Sequence, residues 1–248
     1  MSATVIKRGM KNIFRRFGYE LERTAIDPFV VQRKLIMESK PIIFDIGAHI
    51  GETARIYRKY FPFARIHCFE PSPQSARELQ FNLKDDKRSY CHAVAVSETQ
   101  GISRLNINQS AATNSLLASK TGAASYWGEG LLDTVSHVEV ATTTVDSFCL
   151  DHGITHLDIL KMDVQGGEFS ILSGAKEILS RQNISLIYTE IILCPTYEDQ
   201  HKLHEYLAFL DSFGYAFLDF YHPVWHKYQL IQCDMIFLHP SFLNNHAE

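Results

Sequence analysis

The chain has few cysteines, and none of them are spaced as a metal-binding or redox pair. Its five cysteines, Cys68, Cys91, Cys149, Cys194 and Cys233, are scattered over 248 residues without a C-x-x-C pair. Zinc ribbons and small disulfide-rich domains depend on closely spaced cysteines. The spacing therefore argues against both classes and predicts buried, reduced thiols.

The sequence also lacks long apolar runs. No run approaches the roughly 18 to 20 consecutive apolar residues that span a bilayer. The N-terminal region shows no apolar stretch followed by the small-residue cleavage site of a secretory signal. With 46% hydrophobic and 21% charged residues, the composition is typical of one folded domain and excludes disorder. We therefore expect a cytoplasmic protein.

Acidic residues are in slight excess, but the charge is unevenly distributed. Residues 1–40 contain nine Lys/Arg and four Asp/Glu, whereas residues 41–248 contain fifteen and twenty-four. An acidic main body argues against a nucleic-acid partner. In residues 1–20, basic and apolar residues alternate as on an amphipathic helix, which fits either peripheral contact with the inner face of an anionic membrane or a helix packed on the domain. We expect a basic helical extension over residues 1–40.

From residue 41 onward, short apolar runs alternate with polar helical stretches, which predicts one α/β domain over residues 41–248 with a mostly parallel sheet. The pattern predicts strands at residues 41–45, 65–69, 90–96, 157–162 and 185–189, and helices at 52–60, 73–83, 168–179 and 201–213. A Ser/Thr-rich, β-rich insert at about residues 100–145 contains predicted strands at 103–107 and 138–145. Predicted strands at 215–220 and 230–238, joined by a turn near 222–226, form a C-terminal antiparallel hairpin.

Four predicted strands are followed or ended by an acidic residue: Asp45, Glu70, Asp163 and Glu190. In an open α/β sheet, ligands bind outside the carboxyl ends of the strands. Capping of the following helix or turn would explain any one of these acids alone. Four in the same position predict a binding site at this edge of the sheet.

Two glycines follow the first of these acids. Gly47 and Gly51 lie two and six residues after Asp45, where they allow a tight turn before a helix N-terminus. Their spacing departs from the G-x-G-x-x-G pattern and favours a cationic or zwitterionic ligand over a pyrophosphate. Glu70 stands where an acid accepts the hydroxyls of an adenosine ribose. Together these residues predict a nucleoside cofactor.

Four segments resemble the successive motifs of FkbM-type S-adenosylmethionine-dependent methyltransferases: FDIGAHIG at 44–51, FEPSP at 69–73, TVD at 144–146 and LKMDVQGGE at 160–168. The resemblance implies a class I methyltransferase (Rossmann-like) fold, an α/β fold with a seven-stranded, mostly parallel sheet and a C-terminal antiparallel hairpin. It also implies O-methylation of a hydroxyl on a sugar, glycan, glycolipid or related natural product. His49 stands where this family more often has asparagine.

The resemblance further implies contacts to S-adenosylmethionine and to its product, S-adenosylhomocysteine. The expected cofactor residues are Asp45, Gly47, Ala48, His49 and Gly51 for the methionine and ribose, Glu70 for the ribose hydroxyls, Ser97 beside the adenine, and Asn114, Ser115 and Asp163 at the cofactor or substrate.

In the implied fold, the strands that precede Asp163 and Glu190 are neighbours, and Glu168 follows one turn later. These three acids are the predicted catalytic residues. They could supply a general base for the acceptor hydroxyl or bind a divalent ion such as Mg²⁺. For Glu168, helix N-terminal capping is a further interpretation.

Two other functions compete with this one. An NAD(P)-dependent oxidoreductase would use a similar sheet, but the spacing of Gly47 and Gly51 argues against it. A non-catalytic cofactor-binding module would not need the three acids. Of the twelve histidines, His201 and His204 are expected at the surface, whereas His222 and His226 fall in the predicted hairpin turn, over the acceptor side.

Overall fold

The computed structural model describes residues 27–243. The strands in this part of the chain are β1 (Ile42–Ile46), β2 (Arg65–Phe69), β3 (Ser89–His92), β4 (Ala95–Val96), β5 (Gly101–Asn108), β6 (Thr134–Thr143), β7 (Leu157–Met162), β8 (Ile184–Ile192), β9 (Ala216–His226) and β10 (Gln229–Leu238). The helices are α1 (Pro28–Leu35), α2 (Glu52–Tyr60), α3 (Pro73–Leu83), α4 (Ala124–Trp127), α5 (Val145–Asp151), α6 (Glu168–Ser173), α7 (Lys176–Ser180), α8 (Leu203–Ser212) and α9 (Pro240–Leu243).

The main sheet has seven strands in the order β3-β2-β1-β7-β8-β10-β9. Strands β3, β2, β1, β7 and β8 run parallel, and β10 runs antiparallel to both of its neighbours. The chain order reverses between β1 and β7, which creates the crevice where such sheets bind ligands. This topology is the predicted class I methyltransferase fold with its C-terminal hairpin, so the predicted fold class is confirmed.

Helices cover both faces of the sheet, and its central strands are therefore buried throughout. Every residue of β7 and β8 is buried, which explains why their sequences are nearly continuous apolar runs. Helix α1 packs on the sheet through Phe29, whose ring lies 5.2 Å from that of Tyr57 and 5.9 Å from that of Tyr188. Residues 1–20, the predicted basic segment, lie outside the described residues. No helix within residues 27–243 is long and apolar enough to cross a membrane.

The insert forms a second sheet of three strands in the order β4-β6-β5. The sequence predicted one strand over residues 90–96, but the chain leaves the main sheet after His92, and Ala95–Val96 pairs with Thr142 and Thr143 instead. The predicted strand over 138–145 ends at Thr143. Thr144 then caps helix α5 by accepting a hydrogen bond from Ser147 N at 3.0 Å, a helix that the sequence analysis missed.

Two more boundaries differ from the sequence predictions. The helix expected over 168–179 is broken into α6 and α7 at Gly174, where a Cβ atom would lie 2.3 Å from the carbonyl oxygen of Ser97. The hairpin turn lies at Lys227 and Tyr228 rather than at 222–226. Pro223, within the expected turn, lies instead in edge strand β9, where a missing N–H group is tolerated.

Candidate functional site

A cavity of about 470 Å³ lies at the carboxyl ends of β1, β2 and β7. The insert covers it on the opposite side. Its lining includes Gly47, Ala48, His49, Glu70, Ser97, Asn114, Ser115, Lys161, Asp163 and Gln165. The cavity therefore occupies the crevice where the strand order reverses, and we refer to it as the donor cavity.

The loop after β1 forms one wall through an unusual backbone. Gly47 and His49 have φ angles of +75° and +47°, and a Cβ atom on Gly47 would lie 1.8 Å from the carbonyl oxygen of Asp163. Only glycine fits that close approach. Among residues with a side chain, Asn, Asp and His are the most frequent at positive φ. His49 thus meets the same backbone requirement as the asparagine that the family more often has.

Glu70 is fixed at the end of β2 with its carboxylate facing the donor cavity. One oxygen accepts a hydrogen bond from His49 N at 3.0 Å, and the other accepts one from Ser72 N at 2.9 Å. Burial raises the pKa of Glu70, and these two backbone hydrogen bonds oppose the rise. Each oxygen keeps a lone pair for a further donor. The geometry therefore fits a pair of ribose hydroxyls.

Asp45, by contrast, lies beneath the loop and does not line the cavity. Its side chain is fully buried, and its Oδ1 lies 2.9 Å from the Nζ atom of Lys161. Lys161 also donates to the carbonyl oxygen of Gly47 at 3.2 Å. Burial would lower the pKa of Lys161, but Asp45 and Asp163 outweigh it and raise the pKa above its ordinary value. Lys161 therefore stays charged and holds the loop against β7.

Sequence reasoning missed Lys161. The available signal was a single lysine within the apolar run LDILKM. A buried lysine requires a partner because an unpaired charge is costly to bury. Gly51, another expected cofactor residue, is the N-cap residue of α2 with φ +90° and is not among the lining residues.

A second, smaller cavity of about 170 Å³ adjoins the first. It is lined by Phe29, Thr53, Ile56, Lys161, Met162, Asp163, Tyr188, Glu190, His222 and Asp234. Three of these residues, Thr53, Lys161 and Asp163, also line the donor cavity. The two cavities therefore share a wall. We refer to the smaller one as the acceptor-side cavity.

Two predicted catalytic acids are joined by a glutamine. The Nε2 atom of Gln165 donates to Asp163 Oδ1 at 3.2 Å and to Glu190 Oε2 at 2.8 Å. Gln232 donates to the other oxygen of Glu190 at 2.5 Å. Burial, followed by the charge of Asp163, holds the pKa of Glu190 well above its usual range. Glu190 lies inside β8 rather than at its end, so this acid is part of the sheet.

Glu168, the third predicted acid, is turned away from both cavities. Its Oε1 accepts hydrogen bonds from the backbone N–H groups of Val164 at 2.8 Å and Gly166 at 3.3 Å. Burial raises the pKa of Glu168 to about 7. Within residues 27–243, no three His, Cys, Asp or Glu side chains are placed to hold a metal ion. Glu168 therefore does not join Asp163 and Glu190 in a three-acid Mg²⁺ site.

The insert contributes Asn114 and Ser115 to the donor cavity and connects them to the neighbouring loops. Ser115 Oγ donates to the carbonyl oxygen of Gln165 at 2.7 Å, and Asn114 Oδ1 accepts a hydrogen bond from Asn108 N at 2.8 Å. Ser97 also lines the cavity. The Ser115 contact connects the insert to the loop after β7, whereas the Asn114 contact lies within the insert.

Comparisons with known proteins agree with this architecture. The model of the Methyltransferase FkbM domain matches residues 45–217. The 2-O-methyltransferase NoeI of Sinorhizobium fredii is 30% identical over 188 residues, which cover 72% of this chain and 74% of that protein. The 31-O-demethyl-FK506 methyltransferase FkbM of Streptomyces tacrolimicus is 24% identical over 155 residues, 55% of this chain and 60% of that protein.

Among solved structures, an rRNA methylase from Streptococcus thermophilus is similar, with a TM-score of 0.49 and 11% identity over 88% of this chain and 99% of that one. The family match extends over most of the chain, and the matched region contains the loop after β1, Glu70 and the loop after β7. The chain therefore belongs to the FkbM methyltransferase family and is an S-adenosylmethionine-dependent methyltransferase.

Proposed function

We propose that this chain methylates a hydroxyl group on a sugar ring or a related polyhydroxylated natural product. The observation that carries the proposal is the wall that the two cavities share at Thr53, Lys161 and Asp163. A methyl transfer needs donor and acceptor atoms in line and close to contact. Adjoining cavities with a common polar wall supply such an arrangement.

The donor cavity suits S-adenosylmethionine in four respects. The fixed carboxylate of Glu70 would accept hydrogen bonds from the ribose hydroxyls. The loop at Gly47 lets the ligand approach the backbone closely, and Ser97 would border the adenine. When bound, the cofactor supplies an electrophilic methyl group on a sulfonium centre. The nearby carboxylate of Asp163 favours binding of that positive charge.

On the acceptor side, the chain's own residues would bind and orient a hydroxyl. Asp163 can orient the acceptor at the junction of the two cavities by accepting a hydrogen bond from a neighbouring hydroxyl, and Glu190 lies behind Asp163 in the same hydrogen-bonded network. Catalysis then depends mainly on positioning and on removal of the hydroxyl proton. The proposal includes no metal step, because Glu168 faces its own loop rather than the other two acids.

The lining of the acceptor-side cavity favours an uncharged acceptor. It contains three acidic side chains, those of Asp163, Glu190 and Asp234, together with the charged Lys161. Protonated or ionised, acidic side chains form hydrogen bonds with hydroxyls, and none of them can pair with the negative charge of a phosphate or carboxylate group. Both relatives are named as O-methylating enzymes, which supports a hydroxyl acceptor.

Cofactor binding is tested first, by calorimetric titration with S-adenosylhomocysteine and with NAD as the control. We expect binding of S-adenosylhomocysteine alone. Glu70→Gln should weaken it at least tenfold, whereas the matched variant Glu78→Gln, on the surface of α3, should not. Binding of NAD alone would favour the oxidoreductase, and equal affinities for the two variants would contradict the role of Glu70.

Transfer is tested with labelled S-adenosylmethionine and a panel of uncharged methyl glycosides, followed by mass spectrometry. Asp163→Asn should lower turnover more than the affinity for S-adenosylhomocysteine. Parallel reactions with EDTA and with Mg²⁺ test the metal question, and we expect equal rates. A rate that depends on Mg²⁺ would contradict the metal-free proposal, and methylation of none of the glycosides would contradict the proposed acceptor class.

Peripheral membrane contact through residues 1–20 is a separate proposal that rests on the basic amphipathic pattern alone. Full-length protein should sediment with vesicles containing anionic lipid, more weakly at high salt. A variant with Lys7, Arg8 and Lys11 changed to glutamine should remain in the supernatant. Equal sedimentation with neutral vesicles would contradict an electrostatic contact.

A further inference from the structure

His222 and Asp234 form a hydrogen-bonded pair on the wall of the acceptor-side cavity. The Nδ1 atom of His222 lies 2.8 Å from Asp234 Oδ2. The hydroxyl of Tyr188 donates to the same oxygen at 2.5 Å. All three residues line this cavity, and none of them lines the donor cavity. The pair thus lies in the acceptor-side cavity and outside the donor cavity.

The hydrogen bond to Asp234 fixes which nitrogen of His222 can take up a proton. A carboxylate only accepts hydrogen bonds, so Nδ1 carries the hydrogen and Nε2 keeps a free lone pair. Within residues 27–243, Nε2 has no hydrogen-bond partner. The side chain is 61% exposed, so the imidazole reaches both the cavity and solvent. An imidazole oriented by a carboxylate in this way is suited to act as a general base.

The backbone at His222 is arranged to hold this side chain in place. Tyr221 pairs with Asp234 and Val224 pairs with Gln232, so two residues of β9 lie opposite one residue of β10. This is a β-bulge, a feature that redirects side chains and is frequent beside active sites. His222 itself has a φ of +47°, a strained conformation that is found preferentially at functional sites.

The other polar groups of the cavity are less suited to accept a proton. Lys161 is held in its charged form by Asp45 and Asp163. Both oxygens of Glu190 already accept hydrogen bonds from glutamine side chains. Asp163 borders the donor cavity as well, where its charge faces the methyl donor. Asp234 is already hydrogen-bonded to Tyr188 and His222, so His222 is the remaining base that lines only the acceptor side.

We propose that His222, oriented by Asp234, is the catalytic base that accepts the proton of the acceptor hydroxyl; this inference rests on the function proposed above. The acceptor oxygen forms a bond to the methyl carbon while the carbon–sulfur bond breaks, and that electron pair stays on the sulfur of S-adenosylhomocysteine. The hydroxyl proton moves to His222 Nε2. The resulting imidazolium is stabilised by the Asp234 carboxylate and loses its proton to solvent through its exposed face.

The test uses His222→Gly, because glycine adopts the positive φ of this position and leaves space for a small base. With the glycoside that the wild-type enzyme methylates fastest, kcat should fall about 10²- to 10⁴-fold. The affinity for S-adenosylhomocysteine should change less than twofold. Added imidazole should restore turnover in proportion to its concentration, which a merely structural role of His222 would not produce.

Two more variants sharpen the test. His222→Asn tolerates the same backbone and can still donate to Asp234, but it cannot accept a proton, so it should lose turnover and resist rescue by imidazole. His226→Gly is the control, since His226 lies in the same strand, contacts the ring of Tyr126 and lines neither cavity. It should keep wild-type turnover and show no response to imidazole.

The outcomes separate the two proposals. If the wild-type enzyme is active, two results would overturn the role of His222 and leave the proposed function intact. His222→Gly could be as active as wild type, or it could be inactive and not rescued by imidazole. A wild-type enzyme that methylates no glycoside would overturn the proposed function, and the assignment of His222 would fall with it.

Discussion

Gly47→Ala is the substitution whose effect the structure defines most sharply. Gly47 has a φ of +75°, and an added Cβ atom would lie 1.8 Å from the backbone oxygen of Asp163. Real Cβ atoms do not approach other atoms so closely, and the obstacle is backbone rather than a flexible side chain. The loop after β1 must therefore move away from β7. This movement would disturb the Gly47 contact to Lys161 and the hydrogen bond from His49 to Glu70.

The expected magnitude has two parts. A residue other than glycine at positive φ costs about 1–2 kcal/mol, and forcing an extra carbon into a packed site costs about 1–3 kcal/mol more. We therefore expect Gly47→Ala to lower the free energy of unfolding by about 2–5 kcal/mol. Gly122 provides the matched control, because it has a φ of +89° but no atom within 4 Å of an added Cβ. Gly122→Ala should cost only about 1–2 kcal/mol.

The free energies of unfolding come from urea denaturation of both variants, and the binding affinities come from calorimetry with S-adenosylhomocysteine. Gly47→Ala should bind at least tenfold more weakly than wild type, a loss of about 1.4 kcal/mol, whereas Gly122→Ala should bind normally. If the two variants matched within about 0.5 kcal/mol in both measurements, the close approach of Gly47 to Asp163 would not govern the site, and the reasoning would be refuted.

Three further predictions concern buried ionisable groups. Lys161→Met should cost about 3–5 kcal/mol of unfolding free energy because it leaves Asp45 unpaired, and the double variant with Asp45→Leu should recover part of the loss. Equal losses for the single and the double variant in urea denaturation would contradict this. His67 is 5% exposed, and burial lowers its pKa to about 3. The folded pKa is thus below that of the unfolded chain, so the contribution of His67 to stability is full above about pH 6.5 and falls as the pH drops. In urea denaturation, wild type should lose unfolding free energy between about pH 7 and about pH 5, and His67→Phe should make this loss smaller by about 2 kcal/mol. Glu168→Gln should retain turnover because an amide oxygen can replace Oε1, whereas Glu168→Ala should lose about 1–3 kcal/mol of stability; a large loss of turnover in the stable Glu168→Gln variant would indicate a catalytic role instead.

Local sequence determined much of the framework. The bounds of α2, β2, α3 and β7 agree with those predicted from sequence, because each is marked by a strong local signal such as a proline, a glycine turn or a β-rich apolar run. The order of the motifs likewise predicted the fold and the position of Glu70. Such signals depend on neighbours within a few residues, so a single sequence suffices to find them.

Side-chain orientation was decided by the tertiary structure. The sequence placed Glu168 with Asp163 and Glu190, but the backbone amides of Val164 and Gly166 turn its carboxylate away. Asp45 looked like a ligand contact, yet it is the buried partner of Lys161. In both cases the group that pairs with the buried acid decides where its side chain points. Local periodicity contains no information about that partner.

The acceptor side depended most on long-range structure. His222 and Asp234 are twelve residues apart, and their pairing requires the antiparallel register of β9 and β10 together with a bulge. Lys161 and Asp45 are 116 positions apart and meet because β7 pairs directly with β1. The sequence by itself determined most of the strands and the glycine turn, since these follow from local conformational preferences. Only the tertiary structure decided which buried charges and hydrogen-bonding groups face each other, because those contacts form between segments that are distant along the chain.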